Sequence, residues 1–135
     1  MNKQAIALHL LDKAIQLYFD EQDYICALTL SGASEEILGK IVSNTGSANA
    51  CEELVVALYQ LTGCTVDEKT IRNQHMNWAR NAVKHFNDNS EFEIDTDFYA
   101  QATQIIARCC TNIVKLGLPF SAQVERFLNK TLERT

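Results

Sequence analysis

Apolar side chains recur at intervals of three and four residues along most of this chain, which is the spacing of one face of an amphipathic helix. Strict alternation of apolar and polar residues is absent, and Pro119 is the only proline. The pattern predicts an all-α, up-and-down bundle of about five core helices plus a short C-terminal helix. The expected helices span Lys3 to Asp20, Asp23 to Asn44, Asn49 to Gly63, Thr65 to Asn87 and Asp95 to Gly117, with a tail helix from Ser121.

The second predicted helix is apolar around most of its circumference, which is typical of the central helix of a bundle. At about 100° per residue, Glu36 and Lys40 fall on a narrow polar strip and form a solvated i,i+4 pair. Glu35 falls instead among the small residues Gly32 and Gly39. Because a buried carboxylate needs a partner, we expect Glu35 to point into the bundle and to pair with the fourth helix. A partly exposed glutamate at the helix edge is the alternative.

The fourth predicted helix begins with a capping box, Thr65 to Glu68, and has two distinct faces. The apolar face predicts core positions for Ile71, His75, Trp78, Ala79, Ala82 and Phe86, with His75 as a hydrogen-bonded core histidine. The opposite face is basic and rich in amides, and consists of Lys69, Asn73, Asn77, Arg80 and Lys84. Such a face can contact the phosphates and base edges of RNA, or it can simply keep the helix solvated.

Length, charge and cysteine content limit the class of protein. A chain of 135 residues with 47% hydrophobic content is predicted to form one domain, residues 1–135. The net charge of −5 argues against non-specific coating of nucleic acid, although residues 69–88 carry a local excess of three positive charges. The five cysteines are odd in number and lack a Cys-x2-Cys pair, which indicates small buried side chains in a reducing cytoplasm.

Other features predict what the protein lacks. No stretch is long and apolar enough for a membrane span, and the first residues lack the apolar region of a secretion signal, so we expect a cytoplasmic protein without membrane contact. No set of metal ligands, phosphate-binding glycine loop or Ser-His-Asp arrangement is present. Neither a metal nor a cofactor is therefore predicted.

The segment Arg80-Asn-Ala-Val-Lys-His85 combines a guanidinium with an imidazole whose pKa is ordinarily near neutral. This segment resembles the Arg-x4-6-His signature of the HEPN superfamily, in which a polar residue such as Asn81 often follows the arginine. The segment from Ala27 to Lys40 also resembles the second helix of short bacterial HEPN-like proteins. The likeness covers most of residues 5–117.

The resemblance implies a HEPN-type bundle that acts as a metal-independent endoribonuclease, with a defence or toxin role in some members. Arg80, His85 and Asn81 would be the catalytic residues, supported by Glu35, and Lys69, Asn73, Asn77 and Lys84 would bind RNA. Arg80 and His85 lie ~140° apart on one ideal helix, so a homodimer is expected to bring them together, as in catalytic members of the family.

Two alternatives remain from other functional classes. One is a non-catalytic, HEPN-like homodimeric module that binds a nucleotide, an RNA or a protein partner such as an antitoxin. The other is a helical oligomerisation unit in which the arginine forms a structural network with glutamate. The chain also departs from paired-toxin members, which often have tyrosine two residues after the histidine, where this chain has Asn87.

Overall fold

The computed structural model describes residues 1–87 and 89–133, without the side chains of His75, Leu132 and Glu133, and all the regular elements of these residues are helical. Its α-helices are α1 (Lys3–Gln16), α2 (Tyr24–Asn44), α3 (Ala50–Leu61), α4 (Glu68–Thr70), α5 (Trp78–Ala82), α6 (Phe98–Lys115) and α7 (Ala122–Glu133). Two π-helical turns, Leu17–Glu21 and Ile71–Met76, and one 3₁₀ turn, Asn89–Glu91, complete the described elements. The predicted all-α class is confirmed, since none of the described residues forms a strand.

Helix α2 packs against both α1 and α6, so it is the central helix, as its nearly continuous apolar surface predicted. The core between these helices is built from fully buried aliphatic side chains, and α7 covers α1 through Val124 and Phe127. The largest buried residues of α1, α2 and α6 are Leu11, Ile15, Leu28, Leu38, Ile105, Ile106 and Ile113. Within the described ranges, none of the helices combines the length and apolarity needed to cross a bilayer.

Of the two capping boxes in the sequence, the one that begins at Asn49 is confirmed and the one that begins at Thr65 is not. The side chain of Asp23 accepts from the N–H of Cys26 at the start of α2, and Asn49 accepts from the N–H of Glu52 at the start of α3. Gly46 has a φ of +89° just after α2, the left-handed conformation that glycine commonly adopts where a helix ends. The predicted cap Thr65 is wrong, because Asp67 caps α4 instead, through the N–H of Thr70.

The spacing of Leu54, Val55, Leu58 and Leu61 predicts a core face for the third helix, and this prediction is largely wrong. Val55 is fully buried, whereas Leu54 is 43% exposed and Leu61 is 80% exposed. Helix α3 contacts α6 and the π-helical turn Ile71–Met76 rather than entering the main core, so only a narrow line of its residues is covered.

The fourth predicted helix is not continuous, and this difference changes the site. The turn Ile71–Met76 is π-helical, and the N–H of Asn77 bonds to the carbonyl of Arg72 at 2.9 Å, five residues back. A π-turn is wider than an α-turn, so the residues after it are rotated away from their ideal positions. The regular helix then ends at Ala82 rather than Asn87. Consequently Trp78 and Phe86, predicted as core, are 42% and 60% exposed.

Candidate functional site

Arg80 lies in the interior rather than on the predicted solvent-facing surface. Its side chain is only 11% exposed, and its Nη1 lies 3.3 Å from Oε1 of Glu35. Its Nη2 lies 3.4 Å from Oε1 of Glu36. The expectation of an exposed Arg80 was based on an uninterrupted helix, and the π-turn before Asn77 invalidates it.

Glu35 is the centre of a buried ion-pair network. It is 3% exposed and binds Arg108 through two hydrogen bonds, from Nε to Oε2 at 2.5 Å and from Nη2 to Oε1 at 3.1 Å. Arg108 also donates to the carbonyl of Met76 at 3.1 Å, which ties α6 to the π-turn. The prediction that Glu35 points into the bundle and bonds to the fourth predicted helix is confirmed, and its partner there is Arg80.

Gly32 makes the close approach of Arg80 to α2 possible. A Cβ at this position would lie 2.6 Å from Cδ and 2.7 Å from Cγ of Arg80. Any larger residue would therefore displace the stem of the arginine side chain. The small-residue face of α2 identified from the sequence is thus the surface against which Arg80 packs.

Two buried polar residues of α6, Arg108 and Asn112, were not among the site residues predicted from the sequence. Arg108 and Asn112 are 4% and 1% exposed, and they follow Ile105 at intervals of three and four, which are core positions. A polar side chain at core spacing was the signal that could have identified them. Burial alone would lower the pKa of Arg108, but its hydrogen bonds to the negatively charged Glu35 outweigh that effect and raise the pKa above its ordinary value.

Glu36 is half exposed and does not form the predicted pair with Lys40. Its Oε1 lies 3.4 Å from Nζ of Lys84, as well as 3.4 Å from Nη2 of Arg80. The end of α5 at Ala82 brings Lys84 back over α2, so this cation replaces Lys40 as the partner.

Arg80 lines a cleft of about 380 Å³ between α2, α3, the π-turn and α6, here called the Arg80 cleft. Its lining includes Arg72, Asn77, Arg80, Asn112, Cys51 and Glu35. Three buried polar atoms of these residues have no hydrogen-bond partner among the described residues: Oδ1 of Asn77, Nε of Arg80 and Nδ2 of Asn112.

His85 lines a different cleft, here called the His85 cleft, of about 400 Å³. Asn73, Trp78, Asn81, Glu91 and Glu93 line it together with the exposed imidazole. Among the described residues no lysine or arginine lines this cleft. His85 and Asn81 thus line one cleft, and Arg80 lines the other.

The four predicted RNA-binding residues do not share one surface. Lys69 and Asn73 are exposed, Lys84 pairs with Glu36, and Asn77 is half buried and lines the Arg80 cleft. The prediction of one continuous basic face is therefore wrong, because it assumed an uninterrupted helix and the turn Ile71–Met76 is π-helical. The role of His75 lies outside the described side chains.

The cysteines are not all buried, contrary to the prediction. Cys26 and Cys64 are exposed, Cys51 is half buried, and Cys109 and Cys110 are buried. Burial raises the pKa of Cys110 to about 12 and that of Cys109 well above its ordinary value. Burial also raises the pKa of Cys51, as does the charge of Glu35, against the opposing guanidiniums of Arg108, Arg72 and Arg80.

Comparison with known proteins adds no assignment. The chain matches no family model, no curated protein and no solved structure at a significant level. The interpretation of its two clefts therefore depends on the residues themselves.

Proposed function

We propose that this chain is a metal-independent endoribonuclease of HEPN type whose site is completed by a second copy of the chain. The observation that carries the proposal is the His85 cleft, in which an exposed imidazole lies with the carboxamides of Asn73 and Asn81 and with a partly exposed indole, Trp78. Carboxamides can bind base edges, an indole can stack on a base, and an imidazole can transfer protons near neutral pH.

The electrostatics of this cleft support the need for a second copy. Glu91 and Glu93 line the cleft, and no described lysine or arginine lines it, so one chain alone offers an RNA phosphate no cation there. Arg80, the guanidinium of the HEPN-like segment, lines the other cleft. A two-fold dimer that apposes the two clefts would supply Arg80 of one copy to His85 of the other.

The proposed reaction follows from these groups. His85 removes the proton of the ribose 2′-hydroxyl, and the 2′-oxygen attacks the adjacent phosphorus. The bond from phosphorus to the 5′-oxygen breaks, and the imidazole of His85, now protonated, gives its proton to that leaving oxygen. The guanidinium of Arg80 stabilises the charge on the pentacoordinate phosphorus. The products are a 2′,3′-cyclic phosphate and a 5′-hydroxyl, while Asn81 orients the substrate or His85, and Lys69 and Lys84 contact flanking phosphates.

The test is incubation of the purified protein with a mixed RNA pool in excess chelator. We expect cleavage that leaves 2′,3′-cyclic phosphate ends and that falls about a hundredfold or more in His85→Ala, the scale for loss of a positioned acid or base. His9→Ala is the matched control, because His9 is an exposed histidine on α1 outside both clefts, and it should retain wild-type activity. Cleavage that stops in chelator, or that survives in His85→Ala, would contradict the mechanism.

A second candidate function is a non-catalytic homodimeric module that binds a nucleotide, an RNA or a protein partner. One observation favours it: the guanidinium of Arg80 is held between Glu35 and Glu36, which is the geometry of a structural network. RNA that is bound but never cleaved, with the dimer intact, would favour this candidate.

A further inference from the structure

We propose that the Arg80 cleft is a binding site for a small oxyanion, the phosphate or carboxylate group of a small molecule. The proposal depends on hydrogen-bond donors that line this cleft and lack acceptors. It goes beyond RNA cleavage and shares only Arg80 with the proposed reaction, because His85 and Asn81 line the other cleft and the two main residues, Arg72 and Asn112, have no part in that reaction.

Asn112 is the strongest indication of a ligand. Its Oδ1 accepts from the backbone N–H of Ala50 at 2.9 Å, which fixes the orientation of the carboxamide and identifies the other atom as the amino group. That amino group, Nδ2, is buried in a residue with 1% exposure and has no partner among the described residues. Because a buried donor without an acceptor is costly, the cleft is built for an acceptor that enters it.

Two guanidiniums add further donors to the same cleft. Nε of Arg80 is buried and lacks an acceptor within the described part of the chain. Arg72 also lines the cleft, and no carboxylate of the described residues lies within ion-pair distance of it. Asn77 contributes a carboxamide whose Oδ1 lacks a partner and can accept from a hydroxyl of the ligand.

The carboxylates of the cleft are already engaged, which excludes a cation as the favoured ligand. Glu35 accepts from Arg80 and Arg108, and Glu36 pairs with Arg80 and Lys84. Glu52 accepts from the side chains of Ser43 and Asn49 at 2.7 and 2.9 Å. The carboxylates are thus engaged while Nε of Arg80 and Nδ2 of Asn112 remain without acceptors, and an anion is the ligand that satisfies these donors.

The position and volume of the cleft agree with this chemistry. The N-terminal turn of α3 contributes Asn49, Cys51 and Glu52 to its wall, and the positive end of that helix dipole favours an anion. A volume of about 380 Å³ accommodates a small molecule and not a folded partner.

Binding of an oxyanion in the Arg80 cleft can be measured through the half-buried thiol of Cys51, which lines this cleft. The rate of its alkylation is followed by peptide mass spectrometry while inorganic phosphate or malonate is added at constant ionic strength. The exposed thiols of Cys26 and Cys64 are internal references in the same reaction. We expect one of these probes to protect Cys51 saturably, with no change at Cys26 and Cys64.

Two variants test the assignment of the donors. Arg72→Gln removes a guanidinium that pairs with no described carboxylate, and Asn112→Asp keeps the acceptor for Ala50 while replacing the free donor by an oxygen. Each should weaken protection at least about tenfold, the loss of one charge-assisted hydrogen bond. Arg126→Gln, which removes an equal charge beside Asp20 on another surface, should leave protection unchanged. No saturable protection by either probe, or equal protection in Arg72→Gln and Arg126→Gln, would overturn the proposal.

Discussion

Replacing Glu35 by glutamine is the sharpest perturbation of the buried network. The change keeps the shape of the side chain but removes the charge that neutralises Arg108 and Arg80, whose side chains are 5% and 11% exposed. Glutamine retains one acceptor, and its amino group then faces a guanidinium that also donates. Removal of one partner from a buried pair costs about 3–5 kcal/mol, and the retained acceptor puts the expected loss at about 3 kcal/mol.

Urea unfolding followed by circular dichroism measures this loss. With an m-value of about 2 kcal/mol per molar, the unfolding midpoint should fall by about 1.5 M. Glu36→Gln is the matched control on the next residue of α2, and because Glu36 is half exposed its loss should be only about 0–1 kcal/mol. Equal midpoints for the two variants would refute the view that Glu35 is the buried centre of the network.

Two further predictions concern neighbouring residues. Gly32→Ala should lower the free energy of unfolding by about 1–3 kcal/mol although alanine favours helix, because the new Cβ would meet Cδ and Cγ of Arg80 at 2.6 and 2.7 Å. Thermal unfolding of the variant measures this loss of stability. Unchanged stability would contradict the close approach of Arg80 to α2. The hydrogen bond from the N–H of Thr70 lowers the pKa of Asp67 below its ordinary value of 3.8. The stability that this cap contributes is therefore present above pH 3.8 and is lost as the pH falls through the pKa that Asp67 has in the folded state. The difference in stability between wild type and Asp67→Ala should accordingly vanish in acid. A difference that stays constant with pH would contradict the contribution of the ionised cap.

Much of the fold followed from the periodicity of apolar residues. The central position of α2, the cap at Asn49 and the inward direction of Glu35 all depend on local pattern and on the packing of small residues. Such features are determined by residues within one or two helical turns, so they can be predicted from a single sequence.

The surroundings of Arg80 could not be predicted in the same way. An ideal helical wheel assumes i to i+4 bonding throughout, whereas Ile71–Met76 is π-helical and the helix ends early. Arg108 of α6 donates to the carbonyl of Met76 in this turn, a contact between residues 32 apart in the chain that a helical wheel does not contain. Trp78, Arg80 and Phe86 were therefore assigned to the wrong face, whereas Ala79 is buried as predicted.

Subunit complementation tests the central claim most directly, because Arg80 and His85 line different clefts of one chain. Arg80→Ala and His85→Ala chains, each expected to be inactive, are mixed, unfolded and refolded together, beside wild type treated identically. If the site combines Arg80 of one copy with His85 of the other, mixed dimers contain one intact site, and RNA cleavage should return to roughly a quarter of the wild-type rate. A mixture no more active than the separate variants would contradict a site shared between two copies.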